Sequence, residues 1–200
     1  MLDLLLRDCR VGDRDDRVDI AILDGRILEV GPASPGIRRE SRETVDVGGR
    51  LVTPGLVEAH IHLDKALLTG RVAPAATVEE AIRVTGEAKR RFTVDDIRGR
   101  ARRVLDLAVA AGTTAMRSHV EVDPIVGLAG MEAVLPLREE YAPALDLQVC
   151  AFAQEGILQA PGTEALLRRA LAMGADLVGG VPYNDTDALA HIGVVFALAT

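Results

Sequence analysis

The sequence predicts an α/β fold: the amino-terminal half of a TIM-type (β/α)8 barrel, preceded by a layer of short β-strands. Residues 1–55 alternate polar and apolar residues between turn signals, whereas from residue 56 onward apolar strand patterns alternate with helical ones. Strands separated by helix-bearing crossovers are typical of a parallel α/β layer. Four such units fill 56–200, whereas a closed barrel takes about 250 residues. The chain is therefore expected to form half a barrel.

The first part of the chain, 1–55, is predicted to be all β. Its strands are expected over 2–7, 18–23, 26–30, 44–47 and 50–53. Asp24-Gly25 predicts a hairpin turn between the second and third strands, and the stretch 31–40, rich in Pro, Gly and Ser, predicts a loop. So few short strands cannot close a two-sheet core alone, which indicates that this layer packs on another part of the protein.

The second part, 56–200, is predicted to alternate strands and helices. The strands are expected over 56–63, 113–119, 145–152 and 175–179. The helices are expected over 77–91, 93–111, 130–141, 163–173 and 186–200. Thr77-Val-Glu-Glu80 has the pattern of a capping box, and Thr93-Val-Asp-Asp96 is predicted to open the second helix.

Composition narrows the classes of function. The 200 residues carry a net charge of −7 and contain no Trp, two Tyr and three Phe, which argues against a nucleic-acid partner. Cys9 and Cys150 are too few for a disulfide framework and are expected to be reduced. The apolar start of the chain has no basic region before it and predicts a strand, not a signal peptide. Since no apolar run approaches the length of a membrane span, we expect a cytoplasmic protein with no membrane partner.

The clearest chemical signal is the stretch Glu58-Ala-His-Ile-His-Leu-Asp-Lys65. Residues i and i+2 of a strand face the same side, so His60 and His62 can aim both imidazoles at one point, with Cα atoms roughly 6.5 Å apart. Zinc and iron favour imidazole nitrogen as a ligand. A pair of surface histidines without a ligand is the alternative, and this stretch alone leaves it open.

Polar residues also lie at the ends of the other predicted strands, where parallel barrels have their active sites. The residues at or just past the four strand ends are Asp64, Lys65, Arg117, His119, Glu121, Asp123, Phe152, Gln154, Glu155, Tyr183, Asn184, Asp185 and Asp187. Several have a simpler interpretation: Glu121, Asp123 and Asp187 are expected to be solvated loop acids or helix caps. His191 is expected to be an ordinary surface or packing histidine. Arg117 suits an ion pair as well as a substrate, and for His119 a place in the site and a place outside it are equally expected.

These stretches resemble a known family. Thr53-Pro-Gly-Leu-Val-Glu-Ala-His-Ile-His-Leu-Asp64 resembles the start of the metal-dependent amidohydrolase superfamily, where a strand of a small β-sandwich leads through a Pro-Gly turn into the first barrel strand. The closer resemblance, to the cytosine deaminase branch, is carried by Arg117-Ser-His-Val-Glu-Val-Asp123, by 145–158 and by 171–182. It runs from about residue 20 to the end. It implies that 1–55 is part of a β-sandwich and that 56–200 holds the first four units of the barrel.

The resemblance implies that His60 and His62 bind one divalent metal ion: zinc, iron or, as a further candidate, manganese. Two-metal members carry a bridging lysine at the fourth strand, where this chain has Val181-Pro-Tyr-Asn184, so a single ion is favoured. Such an ion lowers the pKa of its bound water to about 7, and a carboxylic acid would shuttle protons to the departing amine. A catalytic zinc site uses three protein ligands. The remaining ligands and the proton shuttle are therefore expected beyond Thr200.

The resemblance also implies substrate-binding roles. Gln154 would hydrogen-bond the amide-like edge of a small, flat heterocyclic substrate, Phe152 would wall the pocket, and His119 would lie near it. Lys65 is a departure, because the better-known cytosine deaminases have a small residue there. A lysine at this position would suit a carboxylate or carbonyl on the substrate, and Asp64 beside it is a further substrate-binding candidate.

Three hypotheses of function remain open at this point. The first is a hydrolase that deaminates a cytosine-like pyrimidine, triazine or related cyclic amidine, inactive as the isolated chain because half a site is present. The second is a cyclic-amide hydrolase of the same superfamily. The third is a non-catalytic scaffold or partner protein. The open sheet edge of a half barrel invites association, so a homo-oligomer is among the expected states.

Overall fold

The computed structural model describes residues 1–13, 16–32 and 40–199. The chain divides into two compact units, Met1–Pro54 and Gly55–Thr200, and each is built on a sheet of its own. Within the described ranges, no helix has the length and apolar character that crossing a membrane requires.

The first unit is a β-sheet. Its strands are β1 (Leu2–Val11), β2 (Val18–Leu23), β3 (Arg26–Pro32), β4 (Ser41–Asp46) and β5 (Leu51–Val52). The sheet order is β3-β2-β1-β4, and β5 pairs with the carboxyl end of β1. β1 runs antiparallel to β2 and parallel to β4. Leu2, Leu5 and Ala21 form one small buried cluster of this sheet.

The predicted hairpin of the first unit is confirmed. Asp24 and Gly25 have φ values of 51° and 67°, as a type I′ turn requires, and β2 pairs with β3 on either side of them. β1 is longer than predicted and reaches Val11, because its last residues find a second partner in β5. The predicted loop over 31–40 falls largely on 33–39, which lie outside the described residues.

The second unit, as far as the structure describes it, is a parallel sheet with helical crossovers. Its strands are β6 (Leu56–Ile61), β7 (Thr113–Glu121), β8 (Asp146–Ala153) and β9 (Leu177–Gly180). Its helices are α1 (Val78–Lys89), α2 (Val94–Ala110), α3 (Ala129–Tyr141), α4 (Thr163–Ala172) and α5 (Ala188–Leu198). The strands follow one another in the order β6-β7-β8-β9, all parallel. This is the arrangement of the first four units of a (β/α)8 barrel, and the predicted α/β class is confirmed.

One face of the parallel sheet packs on the helices. Along β7, Met116, Ser118 and Val120 are buried, whereas Arg117 and His119 between them are more exposed. Successive residues of a strand point to opposite faces, and Met116 and Val120 belong to the main core with apolar residues of α2 and α3. Arg117 and His119 therefore lie on the face away from the helices.

Both predicted helix starts are confirmed. Thr77 caps α1, since its Oγ1 accepts the N–H of Glu80 at 3.2 Å, and Thr93 caps α2 through the N–H of Asp96, also at 3.2 Å. The core-facing side of α2 carries three fully buried side chains: Ile97, Ala101 and Leu105.

Candidate active site

The first strand of the parallel sheet ends in a turn that carries two predicted site residues. β6 stops two residues before its predicted end, because Leu63–Lys65 forms a 3-10 turn. Ser118 Oγ of β7 accepts the N–H of Leu63 at 3.1 Å. The buried Arg100 guanidinium of α2 donates to the carbonyl oxygen of Asp64 at 2.8 Å. These bonds fix the turn against both β7 and α2.

Three histidines and a phenylalanine meet at the carboxyl ends of β6, β7 and β8. We call His60, His62, His119 and Phe152 the imidazole cluster. The His60 and His62 rings have centroids 5.3 Å apart, and His60 stacks on His119 at 4.1 Å with 19° between the planes. Phe152 meets His62 and His119 edge-on, at 5.7 and 5.2 Å. The structure thus brings together both predicted metal ligands and two of the predicted substrate-binding residues.

The surroundings of His62 and His119 favour the neutral form of both imidazoles. Burial, followed by the positive charge of Lys65, lowers the pKa of His62 to about 4. Burial, followed by the charge of His60, lowers the pKa of His119 as well. The Nδ1 atoms of His62 and His119 are buried, and no described residue hydrogen-bonds either of them. Since metal ions bind the neutral form of histidine, both shifts favour ligation over protonation.

The separation of His60 and His62 fits a shared divalent ion. Two imidazoles that bind one tetrahedral ion through nitrogen have ring centroids about 5 Å apart, and the observed value is 5.3 Å. Glu58 steadies this part of β6, because its Oε1 accepts the N–H of His60 at 2.9 Å. His119 is placed differently. A nitrogen lone pair lies in the ring plane, so two nearly parallel stacked rings direct their lone pairs side by side and not to one point.

Lys65 and Asp64 connect the first strand end to the second. The Lys65 ammonium hydrogen-bonds the Glu121 carboxylate, which takes one of its three N–H groups. Asp64 is 5% exposed, and its Oδ2 accepts the N–H of Glu121 at 3.0 Å. Burial, and then the negative charge of Glu121, raises the pKa of Asp64. Both side chains therefore brace the strand ends in addition to any contact with substrate.

A second group of charged residues lies at the neighbouring strand ends. We call Lys89, Glu121, Asp123 and Glu155 the lysine–carboxylate cluster. Lys89 Nζ lies 2.6 Å from Glu155 Oε1, 2.7 Å from Asp123 Oδ2 and 3.2 Å from Glu121 Oε2. Glu121 is 3% and Asp123 1% exposed. The prediction of solvated loop acids or helix caps at Glu121 and Asp123 is therefore wrong, because a buried ammonium compensates their charge.

The carboxylates of this cluster lie within 4.8 Å of one another, a spacing that a metal ion can bridge. The Lys89 ammonium already lies among them. Burial disfavours the charged lysine, but the charge of Glu121 and hydrogen bonds to Asp123 and Glu155 outweigh it and raise the pKa of Lys89 above its ordinary value. The close approach of these carboxylates thus has an explanation that needs no metal.

Two cavities lie beside these clusters and under α1. The larger, about 580 Å³, is bordered by His62 and Lys65 and lined mainly by apolar residues. The smaller, about 240 Å³, is lined by Lys65, Glu121 and Gln154 together with one face of α1. Small-molecule sites typically measure about 300–1,000 Å³, so the larger cavity lies within that range and the smaller one just below it. Gln154, a predicted substrate-binding residue, lines the smaller cavity.

Other candidates have structural partners. Arg117 donates to Gln148 Oε1 at 3.0 and 2.9 Å, across the β7–β8 pair. Asp187 is a helix cap, as predicted, and accepts two N–H groups of α5 at 3.0 Å. His191 is a packing residue, fully buried, with Nδ1 2.8 Å from Asp185 Oδ2.

Sequence reasoning missed Lys89 and Arg100, which hold the strand ends in place. Charged residues of helices are usually solvated, so neither stood out. The available signal was spacing: Lys89 follows Ile82 by seven residues and Arg100 follows Ile97 by three, which puts both on the inward faces of their helices.

Comparison with known proteins gives the family of the chain. A model of the amidohydrolase family matches residues 43–183. The chain belongs to the amidohydrolase family. It is 34% identical over 189 residues to N-isopropylammelide isopropyl amidohydrolase from Pseudomonas sp., a match that spans 90% of this chain and 45% of that protein.

Two solved amidohydrolase structures have the same fold over nearly the whole chain. 5-Methylcytosine deaminase from Klebsiella pneumoniae superposes with a TM-score of 0.86 at 31% identity, over 98% of this chain and 48% of that one. N-isopropylammelide isopropylaminohydrolase from Burkholderia multivorans gives 0.81 at 38% identity, over 100% of this chain and 50% of that one. The chain thus spans about half the length of these amidohydrolases. The half-barrel fold and the resemblance to this superfamily, which is metal-dependent, are confirmed.

Proposed function

We propose that this chain provides the first half of the active site of a metal-dependent amidohydrolase that deaminates a cytosine-like pyrimidine, a triazine or a related cyclic amidine. The observation that carries the proposal is the pair His60 and His62, whose ring separation of 5.3 Å fits one divalent ion. The names of the relatives, a deaminase of 5-methylcytosine and an amidohydrolase of N-isopropylammelide, support this substrate class.

We propose that His60 and His62, both as neutral imidazoles, hold the ion. Zinc and iron suit this donor set, and manganese is a further candidate. When bound, such an ion supplies water that ionises near neutral pH. The low pKa of His62, about 4, keeps its lone pair available at that pH. Since two imidazoles leave coordination positions unfilled, further ligands and the proton shuttle must come from the second half of a barrel.

The remaining candidates would bind and orient the substrate. Gln154 has both a donor and an acceptor in its amide, which suits the edge of a ring that carries C=O and N–H side by side. Phe152 and His119, whose rings meet edge-on, would border the substrate with aromatic surface. The two N–H groups of Lys65 that Glu121 does not take would donate to a substrate carbonyl or carboxylate, while Asp64 holds the turn on which Lys65 lies.

Two details concern the setting of this activity. Both cysteines are buried free thiols, which supports a reducing, cytoplasmic compartment.

β6 and β9 each pair with one neighbour in the parallel sheet of the described chain. We propose that the remaining strands of a barrel, from the same protein or from a second copy, cover these edges.

The proposal is tested by measuring ammonia release from cytosine, isocytosine and ammelide-type triazines. The assay uses a completed barrel, with this chain joined to the second half, loaded with zinc, iron or manganese. Turnover is expected with about one ion bound per barrel. The double variant His60→Ala/His62→Ala should lose the turnover and the bound ion but keep the circular dichroism spectrum of the unmutated protein.

Other results would point elsewhere. Hydrolysis of cyclic amides in place of deamination would indicate a cyclic-amide hydrolase of the same superfamily. Neither turnover nor bound metal would contradict the proposal and favour a scaffold role.

A further inference from the structure

The loop that follows β8 is held by a carboxylate from the next strand–helix unit. Asp185 accepts three consecutive backbone N–H groups of that loop: Ile157 at 2.6 Å, Leu158 at 3.0 Å and Gln159 at 3.0 Å. The Asp185 side chain has no solvent exposure. Burial disfavours the anion, but the bonds from Ile157, His191 and the other two amides outweigh it and lower the pKa of Asp185.

His191 fixes the orientation of that carboxylate. Its Nδ1 lies 2.8 Å from Asp185 Oδ2, while its Nε2 is buried and has no hydrogen-bond partner in the described part of the chain. The proton is therefore assigned to Nδ1, which donates it to the carboxylate. A Cβ at Gly180 would clash with Nε2, so glycine at the end of β9 is what lets the imidazole lie this close to the strand.

Asn184 holds the same loop at its other end. Its Nδ2 donates to the carbonyl oxygen of Gln154 at 2.9 Å. The Gln159 side-chain amide donates to the carbonyl oxygen of Glu155 at 2.9 Å and also to that of Asn184. Two adjacent carbonyls of the loop are thereby held, that of Gln154 by Asn184 and that of Glu155 by Gln159.

Gln154 is the first residue beyond the β8–β9 ladder, whose last pair joins Ala153 to Gly180. Strand pairing therefore no longer fixes its backbone, and the contacts to Asn184 and Asp185 take over that task. The loop lies directly on the carboxylate, since a Cβ at Gly156 would come within 3.0 Å of Asp185 Cγ. A side chain presents its amide in a reproducible direction only when its backbone is held.

We propose that Asp185 is a positioning residue, which with His191 and Asn184 holds the loop 154–159 so that Gln154 presents its amide to the heterocyclic substrate. This inference rests on the proposed function, because Gln154 has this task only if the site binds such a ring. An acid–base role for the Asp185–His191 pair is excluded by geometry, since the outer nitrogen of His191 faces the Gly180 backbone and not a cavity.

The kinetic test uses Asp185→Asn in the completed barrel. The asparagine loses the charge and one acceptor oxygen, so KM for the substrate is expected to rise about tenfold with little change in kcat, the pattern of an interaction made equally in ground and transition states. If Asp185 acts through Gln154, Asp185→Asn should raise KM only slightly further when Gln154 has already been replaced by alanine. Metal content should stay unchanged in all three variants.

The structural test needs no turnover. In Asp185→Asn, the amides of 157–159 are expected to exchange with deuterium about tenfold faster, and the side-chain amide signals of Gln154 in the NMR spectrum should shift or broaden. Asp187→Asn is the matched control. It removes a carboxylate charge two residues away while the asparagine oxygen can still cap α5, so it should change stability little and leave the loop amides, the Gln154 signals and KM as they are.

The outcomes separate the two proposals. Absence of turnover in the unmutated barrel would contradict the proposed function, and the exchange and NMR results would still decide the positioning role. Additive effects of Asp185→Asn and Gln154→Ala on KM, or unchanged Gln154 signals in Asp185→Asn, would overturn the inference.

Discussion

The imidazole cluster and the lysine–carboxylate cluster lie at the carboxyl ends of neighbouring strands, but they differ in how many of their polar atoms have hydrogen-bond partners. In the second cluster, Lys89 lies within hydrogen-bond distance of three carboxylates. In the first, the Nδ1 atoms of His62 and His119 are buried, and the structure gives them no partner among the described residues. A buried polar atom without a partner costs free energy.

This difference indicates that the lysine–carboxylate cluster has a structural role, whereas the imidazole cluster is suited to bind a ligand. A cluster whose charges compensate one another stabilises the fold and has little left to offer a ligand. A cluster with unused nitrogen lone pairs gains free energy when a cation arrives. In the structure, three carboxylates within 4.8 Å of one another have the spacing of a metal site, but the charge of Lys89 makes the two imidazoles the stronger candidate.

The largest expected effect is on stability, from Lys89→Met. The substitution keeps an apolar stem of similar length but leaves Asp123 and Glu155 without their cation and Glu121 with Lys65 alone, so the free energy of unfolding should fall by about 3–5 kcal/mol. Urea unfolding followed by circular dichroism measures it. Arg83→Met on the same helix removes an exposed pair with Glu87 and should change stability by less than about 1 kcal/mol.

The loss of stability caused by Lys89→Met should depend on pH. Without the ammonium, the folded-state pKa values of the buried carboxyls lie above their unfolded values, so the folded variant binds more protons than the unfolded one. Its stability therefore rises as the pH falls, and the difference from the unmutated protein should be smaller at pH 5 than at pH 8. A deficit of equal size at both values would mean that packing, not charge, is lost.

The next largest effect is on metal affinity. His62→Ala should weaken zinc binding by at least about 100-fold, because it removes a direct ligand and even outer-shell changes cost 10–100-fold. Equilibrium dialysis with metal analysis measures the affinity. Asp123→Asn provides the contrast, since it should lower stability and leave zinc affinity unchanged. If Asp123→Asn lost zinc and His62→Ala did not, the carboxylates and not the imidazoles would be the metal ligands.

The smallest expected effect concerns Cys150, a soft ligand next to the imidazole cluster. It pairs with His119 across the β7–β8 ladder and is 4% exposed. Burial raises the pKa of its thiol to about 11, so the thiolate that metals bind is scarce at neutral pH. Cys150→Ala should leave zinc affinity unchanged, and in the native protein the thiol should react with Ellman's reagent only after urea is added.

The sequence predicted features that are local in the chain. The i and i+2 relation of His60 and His62, the caps at Thr77 and Thr93 and the turn at Asp24 each depend on a few neighbouring residues, and each was found. The half barrel followed from the strand–helix rhythm, which is a property of whole segments.

What could not be predicted is which distant charges meet. Lys89 and Glu155 are 66 residues apart in the chain, and nothing local distinguishes Lys89 from a solvated lysine. The same holds for Asp185, whose partners at 157–159 lie 26 to 28 residues earlier. Such contacts depend on how the strand ends are aligned in the sheet, and alignment emerges only from the packed fold.

The bonds from Asp185 to the preceding loop also bear on recombination. Strand–helix units of a barrel are commonly regarded as exchangeable modules, but here the carboxylate of one unit binds the amides of the unit before it. A chimaera with its crossover between Ala160 and Asn184 would take the amides from one parent and the carboxylate from the other. Shuffled barrels should therefore keep Gln154 to His191 from a single parent, as one inherited block.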